Sequence, residues 1–356
     1  MKRLKILFLE NEVYFSSLGV FNSDLFQVEC DGINILQKSI NKIESYDLVA
    51  SLLYNNPLSN YYIYKAKESL VPTLLLSDGM IEWENMFSNP SLKSRDLKLF
   101  HPIQHDYFFC VGYKETFYFN QLGINTIQFL PKRTLNMKQL IKIPGNKTFL
   151  ITTANTAYYN DKEMTRLIDL MSNLMKQLKL CGIDYIFRVF DSNIVEKLSI
   201  PHDKNYISGS FPDVLSQVDC VITTPSSISI EAMSHGRPVA HLLYRDSPVF
   251  LQSGWNISNS VDLESCLKSM LSRDKERLDF QSAEVKRYML EADSSEAELL
   301  IKIETFKPKD IAQFVNQNHL NLLNSKFNFN IEYSLRAVYL KFKKNKFLQF
   351  LRKRIW

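Results

Sequence analysis

The stretch VITTPSSISIEAMSHGRPVA, residues 221–240, decides the fold because it contains every part of a strand–helix–strand unit. The apolar run Val221–Ile222 leads into a turn of small hydroxyl residues, and a helical segment follows from Ser227. Gly236 ends that helix, and Pro238 begins a second apolar run. The N–H groups and dipole at the start of such a helix favour an anion, such as a phosphate or a sugar carboxylate. The alternative is that the serines only cap the helix.

The rest of the chain repeats this alternation of short apolar runs and amphipathic segments, which is typical of parallel α/β sheets. A basic segment with proline and glycine, residues 131–147, separates two such series and is predicted to be a linker. We therefore predict two Rossmann-like doubly wound domains facing a cleft, over residues 1–135 and 148–300, with C-terminal helices in 301–356. Further predicted elements include strands at Lys5–Leu9, Tyr46–Ala50, Thr73–Leu76, Tyr107–Val111, Thr126–Leu130, Thr148–Thr153 and Tyr185–Phe190, and helices at Pro212–Gln217, Val261–Leu271 and Ser282–Leu299.

Length, charge and cysteine usage limit the class of protein. The 356 residues exceed the size at which a single core keeps growing, and 45% apolar content fits a globular protein. The net charge of +5 is smaller than the eight basic residues of 336–356, so the remainder of the chain is net acidic. The five cysteines are scattered without a CxxC pair, which indicates reduced residues in a cytoplasmic protein. The N-terminal apolar run is too short for a signal peptide or a membrane span and predicts the first strand.

Polar residues follow the predicted strands of the second series, at the edge where ligands of such sheets bind. Hydroxyls and amides there can hold a diphosphate or a ribose, and an arginine can contact an anion. The turn before the helix at Pro212 can hold a nucleobase by backbone contacts. The predicted donor-binding residues are Thr153, Asn155, Arg188, Ser210, Phe211, Ser226, Ser227 and Ser229.

Two acids and two histidines of the first series are candidates for catalysis. Asp78 directly follows a strand and precedes a glycine turn, which suits a general base, and Glu82 follows four residues later. The alternative for Asp78 is that it caps the next helix. His101 and His105 are candidates for an auxiliary or acceptor-binding role, although a structural role at a loop is the other interpretation. No metal-ligand spacing, GxGxxG or GxxxxGK[ST] motif occurs, so we predict no metal and no cofactor.

These residues together resemble the GT-B class of glycosyltransferases. The segment YISGSFPDVLSQVDCVITTPSSISIEAMSHGRPVAHLLY, residues 206–244, is similar to the donor-binding half of that class. The segment HDYFFCVGYKETFYFNQLGINTIQFLP, residues 105–131, is similar to the end of its acceptor half. Within the class, the chain looks most like bacterial transferases of nonulosonic acids, such as sialic and pseudaminic acid, that build capsule and lipopolysaccharide.

That resemblance implies a metal-independent, inverting glycosyltransferase that uses a CMP donor and a polysaccharide or lipid-linked acceptor. Ser77-Asp78-Gly79 matches the acidic-Gly motif of those enzymes in part, and Ser226-Ser227 matches their paired-serine turn. Their His-Pro motif is missing after the corresponding donor-domain strand, where Arg188-Val189-Phe190-Asp191 stands instead, and the pair His101-Pro102 lies in the other predicted domain. A transferase with a UDP or other nucleotide donor, a sugar-nucleotide epimerase and a non-catalytic nucleotide-sugar-binding protein therefore remain alternatives.

The C-terminal segment IEYSLRAVYLKFKKNKFLQFLRKRIW, residues 331–356, interleaves apolar and basic residues. A basic amphipathic helix with aromatic residues suits an anionic membrane surface, here the inner face of the cytoplasmic membrane. The alternative is that the helix packs on the first domain. Nucleic acid is not expected as a partner, because the body is acidic and has no reader motif. The predicted membrane-contacting residues are Lys341, Lys343, Lys344, Lys346, Arg352, Lys353, Arg354 and Trp356.

Overall fold

The structure is a computed structural model of the 356-residue chain. It describes residues 3–21, 24–54, 56–94, 98–131, 140–289 and 294–307. The strands of these ranges are β1 (Leu4–Phe8), β2 (Phe26–Glu29), β3 (Leu48–Ser51), β4 (Thr73–Leu76), β5 (Tyr107–Val111), β6 (Thr126–Phe129), β7 (Phe149–Thr152), β8 (Tyr185–Arg188), β9 (Cys220–Thr223), β10 (Val239–Leu242) and β11 (Trp255–Ile257).

Helices alternate with these strands, and two short 3-10 helices lie at Ile40–Ser45 and His202–Lys204. The α-helices are α1 (Glu12–Leu18), α2 (Gly32–Lys38), α3 (Pro57–Glu68), α4 (Trp83–Ser88), α5 (Pro90–Lys93), α6 (Tyr113–Gln121), α7 (Asp161–Leu180), α8 (Ser192–Lys197), α9 (Phe211–Leu215), α10 (Ser227–Ser234), α11 (Leu263–Leu271), α12 (Lys275–Met289) and α13 (Ser295–Glu304).

The strands form two sheets with related topology. The first sheet has six strands in the order β2-β1-β3-β4-β5-β6, and the second has five in the order β11-β10-β9-β7-β8. In each sheet the first strand along the chain lies between the second and the third, which is the arrangement of a doubly wound fold. The pairs β1–β2, β1–β3, β3–β4, β7–β8, β7–β9, β9–β10 and β10–β11 are parallel. The prediction of two doubly wound parallel sheets is confirmed.

Amphipathic helices bury one face against these sheets. In α7, apolar side chains recur at helical spacing, and the long helix packs them against β7 and β8. Asn160 caps the first turn of α7 through its side-chain oxygen, which accepts from the Glu163 N–H. The buried residues of α7 are Glu163, Leu167, Leu170, Met171, Leu174 and Leu178.

Some element bounds differ from the sequence prediction. The strands β2 and β11 were not predicted, because β2 is an edge strand with exposed polar residues and β11 has only three residues. The helix predicted over 282–299 is wrong: α12 begins earlier, at Lys275, and ends at Met289, and α13 begins at Ser295. The earlier start of α12 has a local cause, since the Asp274 carboxylate accepts the N–H of Arg277.

Contacts group the chain into two compact units. Unit 1 contains the described residues up to Leu76, Pro102–Phe108 and the described residues from Leu299 onward. Unit 2 contains the described residues of Ser77–His101 and Phe109–Glu298, and therefore includes the whole second sheet. The domain boundaries at 135 and 148 remain a proposal based on the sequence.

Candidate functional site

The second sheet opens at its carboxyl edge between β7 and β9. These strands are neighbours, with Thr152 opposite Thr223, but the chain leaves β7 towards β8 and leaves β9 towards β10. Loops that diverge in this way leave a crevice in which doubly wound proteins bind ligands. We call Thr153, Thr224, Ser226 and the N-terminus of α10 the switch-point site.

Hydroxyl groups line the switch-point site, and two of them have no hydrogen-bond partner among the residues that the structure describes. The Ala154 N–H donates to Thr224 Oγ1 at 2.7 Å, which joins the loop after β7 to the loop after β9. The Thr153 side chain is only 3% exposed. Within the described part of the chain, neither Thr153 Oγ1 nor Ser226 Oγ, both buried atoms, has a hydrogen-bond partner. Buried hydroxyls without partners are costly, so a ligand that bonds to them gains from their relief.

Ser226 occupies the N-cap position of α10, yet its side chain makes no capping hydrogen bond to the described residues. Some other helices of unit 2 do have such a cap: Asp191, for example, accepts from the first turn of α8. The interpretation that the serine of this turn only caps its helix is therefore wrong for Ser226. The eight-residue helix α10 leaves its first N–H groups without side-chain caps, and this end of a helix carries partial positive charge. Ser227, the half-buried first residue of α10, lies at the same end.

The equivalent position of the first sheet is already filled by the protein itself. Glu10 follows β1 and its carboxylate accepts the N–H groups of Leu52 (3.1 Å) and Leu53 (3.2 Å), which follow β3. Burial raises the pKa of Glu10 to about 7, and the two N–H groups oppose that rise. An internal carboxylate thus occupies the first crevice, whereas the switch-point site of the second sheet offers unused hydroxyls.

Ser229 and Phe211 were predicted to bind the donor, and the structure places both side chains in the core. Ser229 is fully buried and its hydroxyl lies 2.8 Å from Nε2 of His241. Burial lowers the pKa of His241 to about 3, so the ring is neutral at pH 7. Phe211 is buried as the first residue of α9. Both side chains belong to the core because their helices turn these positions towards the sheet.

Ser210 and Arg188 are also placed differently from the prediction. Ser210 forms a capping box with Asp213, in which its hydroxyl lies 2.6 Å from the Asp213 carboxylate. The Arg188 guanidinium donates to three main-chain carbonyls of the segment after residue 205 and is 8% exposed. The N–H groups of the Arg188 guanidinium therefore bind the protein backbone. This geometry does not favour the predicted direct contact between Arg188 and the anion of the nucleotide-sugar. Asn155 is exposed, two residues beyond Thr153.

The predicted base, Asp78, is exposed in the loop after β4. The neighbouring Ser77 hydroxyl donates to the Gly79 carbonyl at 2.5 Å, which folds the loop locally. Helix α4 starts only at Trp83, with Glu82 as its N-cap residue. The alternative in which Asp78 caps the next helix is therefore wrong.

Glu82 is held in a buried ion cluster of unit 2. Its carboxylate lies 2.9 Å from Nη1 of Arg245, and Nε of Arg245 lies 3.0 Å from Glu163. The guanidinium also lies over the rings of Tyr159 and Tyr244, at 4.9 and 5.0 Å from their centroids. Burial raises the pKa of Glu82, and the charge of Arg245 opposes that rise. Glu82 is therefore committed to an ion pair, which favours a positioning role over proton transfer.

The loop of Asp78 and the serine turn approach the same cavity of unit 2. Met80 and Glu82 from the first, and Pro225 from the second, all line it. Asp78 and Ser226 are each close in sequence to one of these lining residues. The segment after β10, which includes Arg245, also lines this cavity. Arg245 and Thr224 were not predicted as site residues, although the rule that placed the others, polar side chains just after a strand, applies to both.

His101 and His105 have structural partners. His101 Nδ1 lies 2.6 Å from the Leu99 carbonyl, and Nε2 lies 3.0 Å from the Tyr118 hydroxyl. His105 is buried in unit 1, with Nε2 at 2.8 Å from the Ser51 hydroxyl. Burial lowers the pKa of His105 to about 3, so it does not carry a proton near pH 7. The structure therefore favours the alternative of structural histidines.

Several further predictions concern metal and membrane. Within the described ranges, His, Cys, Asp and Glu side chains do not gather in groups of three or more that could hold a metal ion. None of the described helices combines the length and apolar composition needed to cross a bilayer. The tail residues predicted to contact a membrane, which begin at Lys341 and end at Trp356, all lie outside the described residues.

Comparison with known proteins identifies the fold. No protein-family model matches the chain, and no curated protein matches it. Among solved structures, Staphylococcus aureus MnaA in complex with UDP is similar, with a TM-score of 0.52 and 14% identity over 87% of this chain and 100% of that one. A putative UDP-N-acetylglucosamine 2-epimerase from Listeria monocytogenes is similar, with a TM-score of 0.54 and 12% identity over 87% and 98%. The wall teichoic acid polymerase TagF gives a TM-score of 0.50 and 12% identity over 85% and 91%. The chain has a GT-B-like fold, as predicted.

Proposed function

We propose that this chain is a glycosyltransferase that binds the phosphate of a nucleotide-sugar at the switch-point site. One observation carries the proposal: Thr153 and Ser226 keep buried, unpartnered hydroxyls beside the uncapped start of α10, in the described structure. Hydroxyls and helix N–H groups in this arrangement suit a phosphate. The similar fold of MnaA, which was solved with UDP, supports a nucleotide ligand.

The proposed chemistry is an inverting transfer without a metal. The Asp78 carboxylate takes the proton of the acceptor hydroxyl, and that oxygen attacks the anomeric carbon of the donor sugar as the bond to the leaving phosphate breaks. Charge that develops on the phosphate is stabilised by Ser226, Thr153 and the helix dipole. The exposed position of Asp78 after β4 supports this role, because an acceptor can reach it.

The donor belongs to one of two classes. The resemblance in sequence favours a CMP-activated nonulosonic acid, and the similar folds of UDP-binding proteins favour a UDP-sugar. A thermal-shift and calorimetric series with CMP, CDP, UDP and GDP separates them, because a ligand that binds only the folded state raises the melting temperature. The sequence leads us to expect the largest shift with CMP or a CMP-nonulosonate; a preference for UDP would replace that donor and leave transfer intact.

Two serines of one helix provide the test of the switch-point site. Ser226→Ala removes the unused hydroxyl and should weaken nucleotide binding about tenfold, the effect of one hydrogen bond to a charged group. Ser234→Ala is the matched control, since Ser234 lies at the other end of α10 and donates to the Glu231 carbonyl at 2.6 Å. Equal nucleotide affinities of the two variants, or a wild-type protein that binds no nucleotide, would refute the proposal.

An epimerase is the second candidate, favoured by the similar fold of the Listeria epimerase. Incubation with UDP-N-acetylglucosamine without an acceptor, followed by NMR, distinguishes the two activities. Conversion of the sugar would support epimerisation, and acceptor-dependent release of the nucleotide would support transfer.

The variant Asp78→Ala tests the proposed base. Loss of transfer with nucleotide affinity retained would support that role, and full transfer activity would exclude it. Nucleotide binding without either reaction on any acceptor would point to a non-catalytic binding protein.

The proposed acceptor is a polysaccharide or a lipid-linked sugar, at the inner face of the cytoplasmic membrane. This part rests on the basic and aromatic sequence of residues 331–356. Flotation with vesicles that contain phosphatidylglycerol should recover the full chain, and replacing Lys341, Lys343, Lys344 and Lys346 by glutamate should abolish recovery. Equal recovery of both proteins would contradict the proposed membrane contact.

A further inference from the structure

A short loop lies beside the end of β8, next to the strand that leads to the switch-point site. This segment, Tyr206–Gly209, is called the 206–209 loop. The Tyr206 N–H donates to the Phe187 carbonyl at 2.8 Å, and Asn205 exchanges hydrogen bonds with the main chain of Val189. β8 pairs with β7, which ends one residue before Thr153. The loop therefore lies at the carboxyl edge of the second sheet, the edge at which Thr153 also lies.

Arg188, the last residue of β8, anchors this loop from inside. Its Nη1 donates to the carbonyls of Tyr206 (2.6 Å) and Ser208 (3.3 Å), and its Nη2 donates to the carbonyl of Gly209 (3.0 Å). The main chain of Arg188 is fixed in turn, because the Thr152 hydroxyl donates to its carbonyl at 2.7 Å. One guanidinium thus sets the direction of three of the four carbonyls of the loop.

The direction of these carbonyls decides what the loop can offer to a ligand. In a trans peptide, the N–H of the next residue points opposite to the carbonyl. Because the Ser208 carbonyl points at Arg188, the Gly209 N–H points away from it. The N–H groups of Ile207 and Ser210 are occupied by the Asn205 carbonyl and the Asp213 carboxylate. Gly209 is exposed, so its outward N–H is a main-chain donor that Arg188 orients through the Ser208 carbonyl.

Exposed apolar side chains accompany this donor. Phe190 is 49% exposed and Ile207 is 46% exposed. The Arg188 guanidinium lies 5.1 Å from the centre of the Phe190 ring, which holds the ring near the loop. A hydrogen-bond donor beside exposed apolar surface suits a planar heterocycle with an acceptor atom on its edge.

The sequence already predicts that the turn before the helix at Pro212 holds a nucleobase by backbone contacts. We propose that Arg188 is the positioning residue that fixes the 206–209 loop for this contact, in which the Gly209 N–H donates to an acceptor atom of the base. This inference rests on the proposed nucleotide binding. It separates two tasks along one edge of the sheet: Thr153 and Ser226 hold phosphate, and the loop anchored by Arg188 selects the base. Arg188 acts through the loop and does not touch the ligand.

The guanidinium is required because of its shape. It is a planar fork whose two Nη atoms reach separate carbonyls, whereas the lysine ammonium is a single point with three donors. Arg188→Lys keeps the charge and loses the fork, so the loop should relax while the strand remains. Arg287→Lys is the matched control, since Arg287 lies on α12 with an exposed side chain.

The experiment measures base discrimination and phosphate binding separately. Affinities for UDP, CDP, GDP and inorganic pyrophosphate are determined by calorimetry on the full chain of wild type, Arg188→Lys and Arg287→Lys. In wild type and Arg287→Lys, we expect the best base to bind at least about tenfold tighter than the worst, the effect of one good hydrogen bond. In Arg188→Lys, we expect the ratio of affinities between the best and the worst base, called the spread, to fall below about threefold. The pyrophosphate affinity should stay within about twofold of wild type.

The outcomes distinguish this inference from the proposed function. If Arg188→Lys keeps the wild-type spread, or loses pyrophosphate binding equally, the positioning role is wrong while nucleotide binding stands. Wild-type affinities that do not depend on the base would also overturn it. A wild type that binds neither nucleotide nor pyrophosphate would refute both.

A second variant keeps the test available if Arg188→Lys does not fold. Gly209 has a φ of +76°, which L side chains rarely adopt, and an added Cβ meets only Asp213 Oδ2 at 3.5 Å. Gly209→Ala should therefore shift the exposed loop without disturbing the core. Loss of base discrimination with retained pyrophosphate binding supports the inference, and unchanged discrimination overturns it.

Discussion

Thr153→Val should make the ligand-free protein more stable and make it bind nucleotides less well. The Thr153 hydroxyl is buried and has no partner among the described residues, so the folded state bears the cost of its lost hydration. Valine has nearly the same shape and the same β-branching, so packing and side-chain entropy change little. The substitution isolates the hydroxyl group.

The magnitude follows from the burial of that single atom. A buried polar group without a partner costs about 1–3 kcal/mol. Removing it should raise the free energy of unfolding by about 1 kcal/mol at least, which is about 2–4 °C in Tm for a cooperative unit of roughly 150–250 residues. The same hydroxyl, in our proposal, bonds to the ligand phosphate, so its loss should weaken nucleotide binding about tenfold.

The adjacent residue provides a control of opposite sign. The Thr152 hydroxyl is also buried, but it donates to the Arg188 carbonyl at 2.7 Å. Thr152→Val therefore removes an existing hydrogen bond and should lower the free energy of unfolding by about 1 kcal/mol. Differential scanning calorimetry gives Tm for both variants, and calorimetric titration gives the nucleotide affinity. If Thr153→Val lowers Tm, or if it stabilises the protein and leaves nucleotide affinity unchanged, the assignment of Thr153 to a phosphate site is wrong.

Two further predictions concern buried ionisable groups. Burial raises the pKa of Glu115 to about 8, against about 4.3 when unfolded, so the wild type loses stability as pH rises from about 4.3 to 8. Glu115→Gln should therefore be more stable than wild type by up to about 4 kcal/mol at pH 7 and by about 1 kcal/mol at pH 5, measured by urea unfolding; a difference independent of pH would contradict this. Arg237 is fully buried, and lysine in its place has too few donors, so Arg237→Lys should lower stability by about 2 kcal/mol or more, seen as a lower Tm than in Arg287→Lys. The carbonyls that accept from Arg237 are those of Val218, Ile141, His235, Lys142 and Leu215.

Much of the fold follows from local patterns. The buried strands β4, β5 and β9 read as continuous apolar runs, because parallel strands are covered on both faces. The edge strand β2 was missed for the converse reason: its burial alternates and its polar residues resemble a loop. The hydroxyl turn before α10 was recognised from its residues alone, since small hydroxyl residues between a strand and a helix are a local signal.

The hydrogen-bond partners of those hydroxyls could not be predicted from the sequence. Ser226 and Ser229 are three residues apart and chemically identical, yet one keeps an unused hydroxyl and the other is bonded to His241, twelve residues further along the chain. The sequence alone does not show that Ser226 is the extended N-cap residue before α10, whereas Ser229 lies within the helix and is fully buried.

The sequence by itself determined two doubly wound sheets and the strand ends at which a ligand would bind, because apolar periodicity is a property of neighbouring residues. Only the tertiary structure decided which polar groups are hydrogen-bonded within the protein and which can bond to a ligand. Glu10 fills the crevice of the first sheet, and Arg188 donates to the carbonyls of the 206–209 loop. Among the described residues, the hydroxyls of Thr153 and Ser226 have no hydrogen-bond partner. Hydrogen-bond partners come together from distant parts of the chain, and the choice among them is made only when the sheets and helices pack.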